Sequence, residues 1–257
     1  MGRGRARTAR PAAPLGRHRA RRGHLVRSGR RAGGPLIGRA FPDRRHAGRL
    51  LGEALSAYAV RSDLLVLALP RGGVPVGYEV ATALGAPLDV YVVRKLGHPR
   101  QPELAIGAIA PGGVVVMNPT AAVGVDDEAL EELIARESRE LDRRLAAYRV
   151  GPSPIVEGRC VIVVDDGLAT GASMRAALTA IAGQQPAWVV AAIPVAPRDA
   201  ASGLADVAQE VVVLVRARQF GAVSQWYADF TATSDSEVRE LLRQAAGRPV
   251  QRKEEGT

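Results

Sequence analysis

Val161 to Val164 are four consecutive apolar, β-branched residues that run straight into two adjacent carboxylates, Asp165 and Asp166. A strand of this composition is buried on both faces, and a sheet covered on both faces belongs to an α/β architecture. After the acids come Gly167, Leu168, Ala169, Thr170, Gly171, Ala172 and Ser173, almost all small or hydroxylated. The spacing of Met174, Ala177, Leu178 and Ile181 then predicts a helix from about residue 173 to 181.

Strand, small-residue loop and helix N-terminus together make an anion cradle. Small residues let the backbone approach a phosphate, and free N–H groups at a helix start favour a dianion. Thr170 and Ser173 add hydroxyl donors. A carboxylate beside a phosphate repels it, so Asp165 and Asp166 make sense only if the ligand also offers hydroxyls or a metal ion. A sugar phosphate meets both demands. The loop is not a Walker loop, because Gly-Lys-[Ser/Thr] is missing, and it holds no G-x-G-x-x-G.

VIVVDDGLATGAS resembles the phosphoribosyl-diphosphate (PRPP) signature of type I phosphoribosyltransferases, in which strand residues precede a paired acid and a T-G-x-[ST] loop. Gly167 stands where better-known members usually carry an aliphatic residue. The resemblance implies that residues 167–173 hold the 5′-phosphate of PRPP. It also implies that Asp165 and Asp166 orient the ribose hydroxyls and engage Mg²⁺, directly or through water.

A second strand–turn–helix lies upstream. Leu64 to Leu69 read as a buried strand, Pro70-Arg71-Gly72-Gly73 as a tight turn, and Val74 to Leu84 as a helix. By the resemblance, Arg71, Gly72 and Gly73 bind the pyrophosphate of PRPP, with the guanidinium and backbone N–H groups as donors. Leu88 to Val93 predict another strand, and the polar stretch Lys95 to Pro102 a mobile lid. In the family a loop at this point brings basic residues to the leaving pyrophosphate, which implies catalytic roles for Arg94 and Lys95, with Arg100 beside them. Phe220, Trp226, Tyr227 and Phe230 fall within eleven positions, although the chain has only ten aromatic residues. The resemblance makes this segment part of a small hood over the acceptor base, with Phe220, Trp226 and Tyr227 in contact with it.

Composition narrows the domain and the setting. Residues 1–40 carry 12 arginines and no acid, leaving 23 basic and 26 acidic residues for the rest, so the net charge of +9 belongs to the N-terminal segment. Residues 1–38 hold too few large apolar side chains to offset ordering entropy and are expected to be a disordered extension. A non-functional extension is the preferred reading over a nucleic-acid-binding arm or a targeting segment. The single cysteine, Cys160, fits a reducing, cytoplasmic setting, and no apolar run is long enough to span a membrane.

Phe41 to Tyr58 predict an amphipathic helix capped by Asp43, and Asp126 to Tyr148 a long structural helix with Glu132–Arg136 and Glu140–Arg144 pairs. Strands are expected at Trp188 to Val195 and Val211 to Val215, a short helix at Asp199 to Ala208, and a closing helix at Ser234 to Leu242. The alternation predicts one domain over 41–250, a mainly parallel sheet of about five strands flanked by helices, followed by a frayed tail at 251–257. The implied activity is transfer of ribose-5-phosphate from PRPP to a nitrogenous base, with loss of pyrophosphate and with Mg²⁺ as cofactor. Two alternatives keep the same fold: a PRPP-sensing regulator or nucleic-acid-binding protein without turnover, and a PRPP-handling hydrolase. Dimers are common among such relatives.

Overall fold

The computed structural model describes residues 40–118, 120–148, 154–200 and 202–248; of Pro102 and Glu103 it describes only the backbone. The Arg-rich extension (1–38) and the tail (251–257) lie outside the described residues.

In chain order the elements are α1 (Arg44–Ala54), β1 (Leu64–Ala68), α2 (Gly73–Leu84), β2 (Leu88–Val90), β3 (Arg94–His98), β4 (Gln101–Ala110), β5 (Val114–Met117), α3 (Asp127–Tyr148), β6 (Cys160–Val164), α4 (Ala172–Ala182), β7 (Trp188–Pro197), β8 (Glu210–Ala217) and α5 (Asp235–Ala246). Five strands form a parallel sheet in the order β2-β1-β6-β7-β8. The remaining three form a small antiparallel sheet, β3-β4-β5, the extra layer that fits the expected hood.

Side-chain alternation divides the parallel sheet into two cores. Leu65, Leu67, Val161, Val163, Ala191, Ile193 and Val213 face α4 through Met174, Leu178 and Ile181. Leu64, Val66, Ile162, Val164, Val190, Ala192 and Val212 pack on α1 and α2 through Leu51, Val76, Val80 and Leu84. Every residue of β1 and β6 is buried, which is why these strands read as unbroken apolar runs rather than alternating ones. A third core joins the small sheet to α3 and α5 through Leu96, Ile106, Ile109, Leu133, Leu141 and Val238.

The predicted Asp43 cap forms, and α5 is capped as well. Asp43 accepts from the His46 N–H at 2.7 Å, and the Ser234 hydroxyl accepts from Glu237 N–H at 3.1 Å. Three expectations need correction. The strand from Leu88 stops at Val90, and residues 91–93 lead into the second sheet. The lid expected over 95–102 is a β-hairpin: Arg94 pairs with Ile109 and Lys95 with Ala108, leaving only residues 99 and 100 between β3 and β4. Polar residues face outward there while Leu96, Ile106 and Ile109 anchor the hairpin in the core. The helix expected over 199–208 shrinks to one 3-10 turn at Ser202–Leu204, where Gly203 and the Ser202 hydroxyl bond to the Asp199 carbonyl favour a turn over a helix. No described helix is long and apolar enough to cross a membrane.

Candidate functional site

β1 and β6 are neighbours with Ala68 level with Val164, so the turns that follow them begin at the same height. The Leu69 N–H donates to the Val164 carbonyl at 2.9 Å and continues the ladder to the edge of the loops. The two turns then touch. A Cβ on Gly72 would lie 2.0 Å from Asp166 Oδ2, and one on Gly73 would lie 2.8 Å from the Val164 carbonyl oxygen and 3.0 Å from Asp165 Cα. Neither glycine has a positive φ, so it is this contact that requires them. The Pro70–Arg71 peptide is cis.

The two acids lie side by side, each partly buried. The Asp166 N–H donates to Asp165 Oδ1 at 2.8 Å. Burial, together with the neighbouring Asp166 charge, holds the Asp165 carboxyl well above the usual carboxylate range. Burial also raises Asp166, although Arg44 opposes the shift. Arg44 Nε donates to Asp166 Oδ2 at 2.8 Å in a pair whose side chains are only 11% and 14% exposed. The same guanidinium donates to the Thr231 carbonyl at 2.8 Å and lies 3.8 Å from the centre of the Phe230 ring. The Tyr227 hydroxyl donates to the Asp166 carbonyl at 2.5 Å. Arg44 is therefore part of the site, a role the sequence did not reveal: its partner lies 122 positions away and it reads locally as an exposed helix-start residue.

The loop after the acids divides by burial. Gly167 and Leu168 are buried, whereas Ala169, Thr170, Ala172 and Ser173 are exposed. Leu168 leaves the predicted phosphate set, because its N–H donates to the Val195 carbonyl at 2.9 Å and its side chain is 2% exposed. Gly167 makes room for Val223, whose Cγ1 would sit 2.4 Å from an added Cβ. Gly171, at φ 77°, turns the chain into α4 in a conformation that favours glycine. The Thr170 hydroxyl accepts from the Ala172 N–H at 3.4 Å. Ser173 lies in the first turn of α4, where helical N–H groups have no partner within the helix.

Arg71 and Ser173 line one cavity of about 340 Å³ at the carboxyl ends of the strands, together with Tyr148 and Asp235. The turn after β1 and the end of the 167–173 loop thus border one cavity, whereas Asp165, Asp166, Thr170 and Gly171 are not among its lining residues. Arg71 makes a loose, half-exposed ion pair with Asp235 at 3.6 Å, and Asp235 also accepts from the Tyr148 hydroxyl at 2.8 Å. Arg143 and Arg144 of α3 line the same cavity, although this helix reads as purely structural.

Two sets of predicted residues are placed elsewhere. Arg94 donates to Glu137 through Nε at 2.9 Å and Nη2 at 2.5 Å, and Glu137 is 8% exposed. This buried partner fixes Arg94 to α3; neither Arg94 nor the exposed Lys95 lines the cavity. Tyr227 is 2% exposed and packs on Phe41 and Phe230, so its ring offers no face to a base. Phe220 and Trp226 stack on each other at 6.4 Å, each half-buried.

Among the described residues, no group of three or more His, Cys, Asp and Glu side chains could hold a metal ion. Mg²⁺ commonly takes only one or two carboxylates from the protein when phosphates and water complete its shell, and the Asp165–Asp166 pair offers that hard-oxygen set.

A family model described as a phosphoribosyl transferase domain matches residues 44–227. A Mycobacterium tuberculosis protein, provisionally described as a phosphoribosyl transferase and found alike in strains H37Rv and CDC 1551, is 45% identical over 208 residues. That match takes in 80% of this chain and 47% of the relative, so the chain spans about half the length of the curated relatives it matches. The crystal structure of TT1426 from Thermus thermophilus is similar with a TM-score of 0.74 and 46% identity, over 80% of this chain and 99% of that one.

Proposed function

The chain belongs to the phosphoribosyl transferase domain family, and from that premise we propose that it moves the ribose-5-phosphate group of PRPP to a nitrogenous base with release of pyrophosphate. The observation that carries this reading is the shared cleft. Arg71 and Ser173 line one cavity, and Gly72, next to Arg71, lies against Asp166. Two anion turns with a carboxylate pair between them suit a pentose phosphorylated at both ends.

In the proposed reaction a nitrogen lone pair forms a bond to C1 of the ribose while the bond from C1 to the diphosphate oxygen breaks. The electron pair leaves with the diphosphate, and the acceptor N–H proton passes to solvent. Thr170, Ser173 and the N–H groups around Gly171 hold the 5′-phosphate. Arg71 and the Gly72–Gly73 backbone hold the diphosphate. Asp165 and Asp166 orient the ribose hydroxyls and stabilise positive charge on the ring as the leaving group departs. Arg44 cancels one of the two negative charges beside the phosphate, which reduces the repulsion a bare acid pair would exert. Mg²⁺ would be held by Asp165 and Asp166, directly or through water, and supplies charge neutralisation for the departing diphosphate.

The reading is tested by screening bases and amines for PRPP-dependent release of pyrophosphate. Release with one class of base supports it. Breakdown of PRPP in buffer alone would instead indicate hydrolysis, and no affinity for PRPP in calorimetry with magnesium would end the proposal.

A further inference from the structure

We propose that Arg143 and Arg144 of α3 are binding residues for the diphosphate group, restrained by Glu140 while the cavity holds no anion. This rests on the reading of the cleft as a PRPP site, but it concerns residues outside both turns of that site.

Three guanidiniums, those of Arg71, Arg143 and Arg144, border the cavity against a single lining carboxylate, Asp235. They arrive from two directions: Arg71 from the turn after β1, the other two from the last third of α3. Glu140 engages both helix arginines. Arg143 donates to it through Nε at 2.7 Å and Nη2 at 2.9 Å, and Arg144 through Nε at 2.8 Å. The hydrogen bonds from the two arginines hold the Glu140 carboxyl down at about 2, so it stays ionised.

One carboxylate against two guanidiniums leaves a positive charge over. The Arg71–Asp235 contact, at 3.6 Å with both side chains half exposed, is also open to exchange. A monophosphate can be met by one guanidinium fork, whereas a diphosphate has two phosphoryl groups to satisfy, and arginines brought to one cavity by two separate elements suit that demand. Leu69, Val92 and Val93 form an apolar stretch of lining that limits the water competing for the anion.

The same residues have a purely local explanation, as surface pairs that stiffen a long helix. The two accounts differ in what they predict. Local pairs affect helix stability and leave anion binding alone, and removing Glu140 would then only weaken the helix. If the arginines are held for a ligand, removing Glu140 frees them and anion affinity rises.

The test is calorimetric titration of the full chain with inorganic pyrophosphate, and separately with orthophosphate, at fixed magnesium. Wild type is expected to prefer pyrophosphate. Combining Arg143→Gln with Arg144→Gln should weaken pyrophosphate binding by about 30-fold or more, within the range for charge-assisted bonds to two arginines. Glu140→Gln should tighten it several-fold. Arg139→Gln, exposed on the same helix, should leave it unchanged. Undiminished affinity in the double variant, or no pyrophosphate binding by wild type, overturns the proposal. If wild type turns over PRPP while the double variant binds pyrophosphate normally, the transferase reading stands and the arginine site falls. If the double variant loses pyrophosphate while no base supports release, the arginine site stands and the transferase reading falls.

Discussion

The two turns at the heart of this molecule are both glycine-rich, and their glycines answer different demands. In Pro70–Gly73 neither glycine has a positive φ, and Gly72 and Gly73 are needed because any side chain would strike Asp166, Asp165 or the end of β6. In Asp165–Ser173 the space around Gly171 is open enough, with Leu168 Cδ2 at 3.5 Å from an added Cβ, but φ is 77°. Gly72 and Gly73, and Gly167 within the second loop, are limited by contact, whereas Gly171 is limited by dihedral angle. Glycine content alone therefore says little about what a turn does until the reason for each glycine is known.

The largest expected effect tests whether the acids between the turns carry the chemistry. Asp165→Asn should lower turnover by about 10³-fold or more, on the scale of losing an electrostatic contact made in the transition state. It should also stabilise the fold at neutral pH. The folded carboxyl ionises at higher pH than it does in the unfolded chain, so above the unfolded value the native state binds more protons and stability falls as pH rises toward the folded pKa. Thermal melts at pH 5 and pH 7 should show wild type losing stability across that interval and the variant losing less. A variant that is both active and less stable would remove the acids from the scheme.

Arg44→Gln comes next. It leaves Asp166 buried without its cation, and breaking a buried pair from one side costs about 3 kcal/mol or more. Urea denaturation should register the loss, and a shift below about 0.5 kcal/mol would mean that Asp166 does not depend on Arg44.

Gly72→Ala should then reduce turnover by about 100-fold, comparable to displacing a catalytic group by a fraction of an ångström to one ångström. Gly72→Asn should be no better, because the obstacle is the Cβ itself. Gly171→Ala is the mildest. A left-handed conformation costs an L-residue about 1–2 kcal/mol, and Gly171→Asn should recover part of this because asparagine tolerates that region. If asparagine rescued position 72 but not 171, the contrast between the turns would be reversed.

How much of this was legible in the sequence follows from the range of each interaction. β1 and β6 were readable because two-sided burial leaves an unbroken apolar run, and the acids and loop because they are contiguous. Arg44 was hidden because its ion pair with Asp166 depends on tertiary approach and leaves no local pattern. The hairpin of β3 and β4 was read as a polar loop because Lys95, His98 and Arg100 dominate its composition, while its anchor is Leu96, buried in the core and paired with Gly107 of the adjoining strand. Arg144 was absorbed into the Glu140–Arg144 pair, which is real and gave no hint of the cavity on that face, and Arg143 was not singled out at all. Tyr227 failed in the other direction. An aromatic cluster signals either a stacking surface or a packed core, and 2% exposure makes this ring core.

The alignment of Ala68 with Val164 acts as a ruler. Neither loop alone determines how far apart two anionic groups can sit; the ladder between β1 and β6 does, since each residue of slip would carry one turn about 3.3 Å past the other. Loop sequences on this scaffold can therefore drift and alter affinity, while the span of ligand accepted stays locked to the strand pairing beneath.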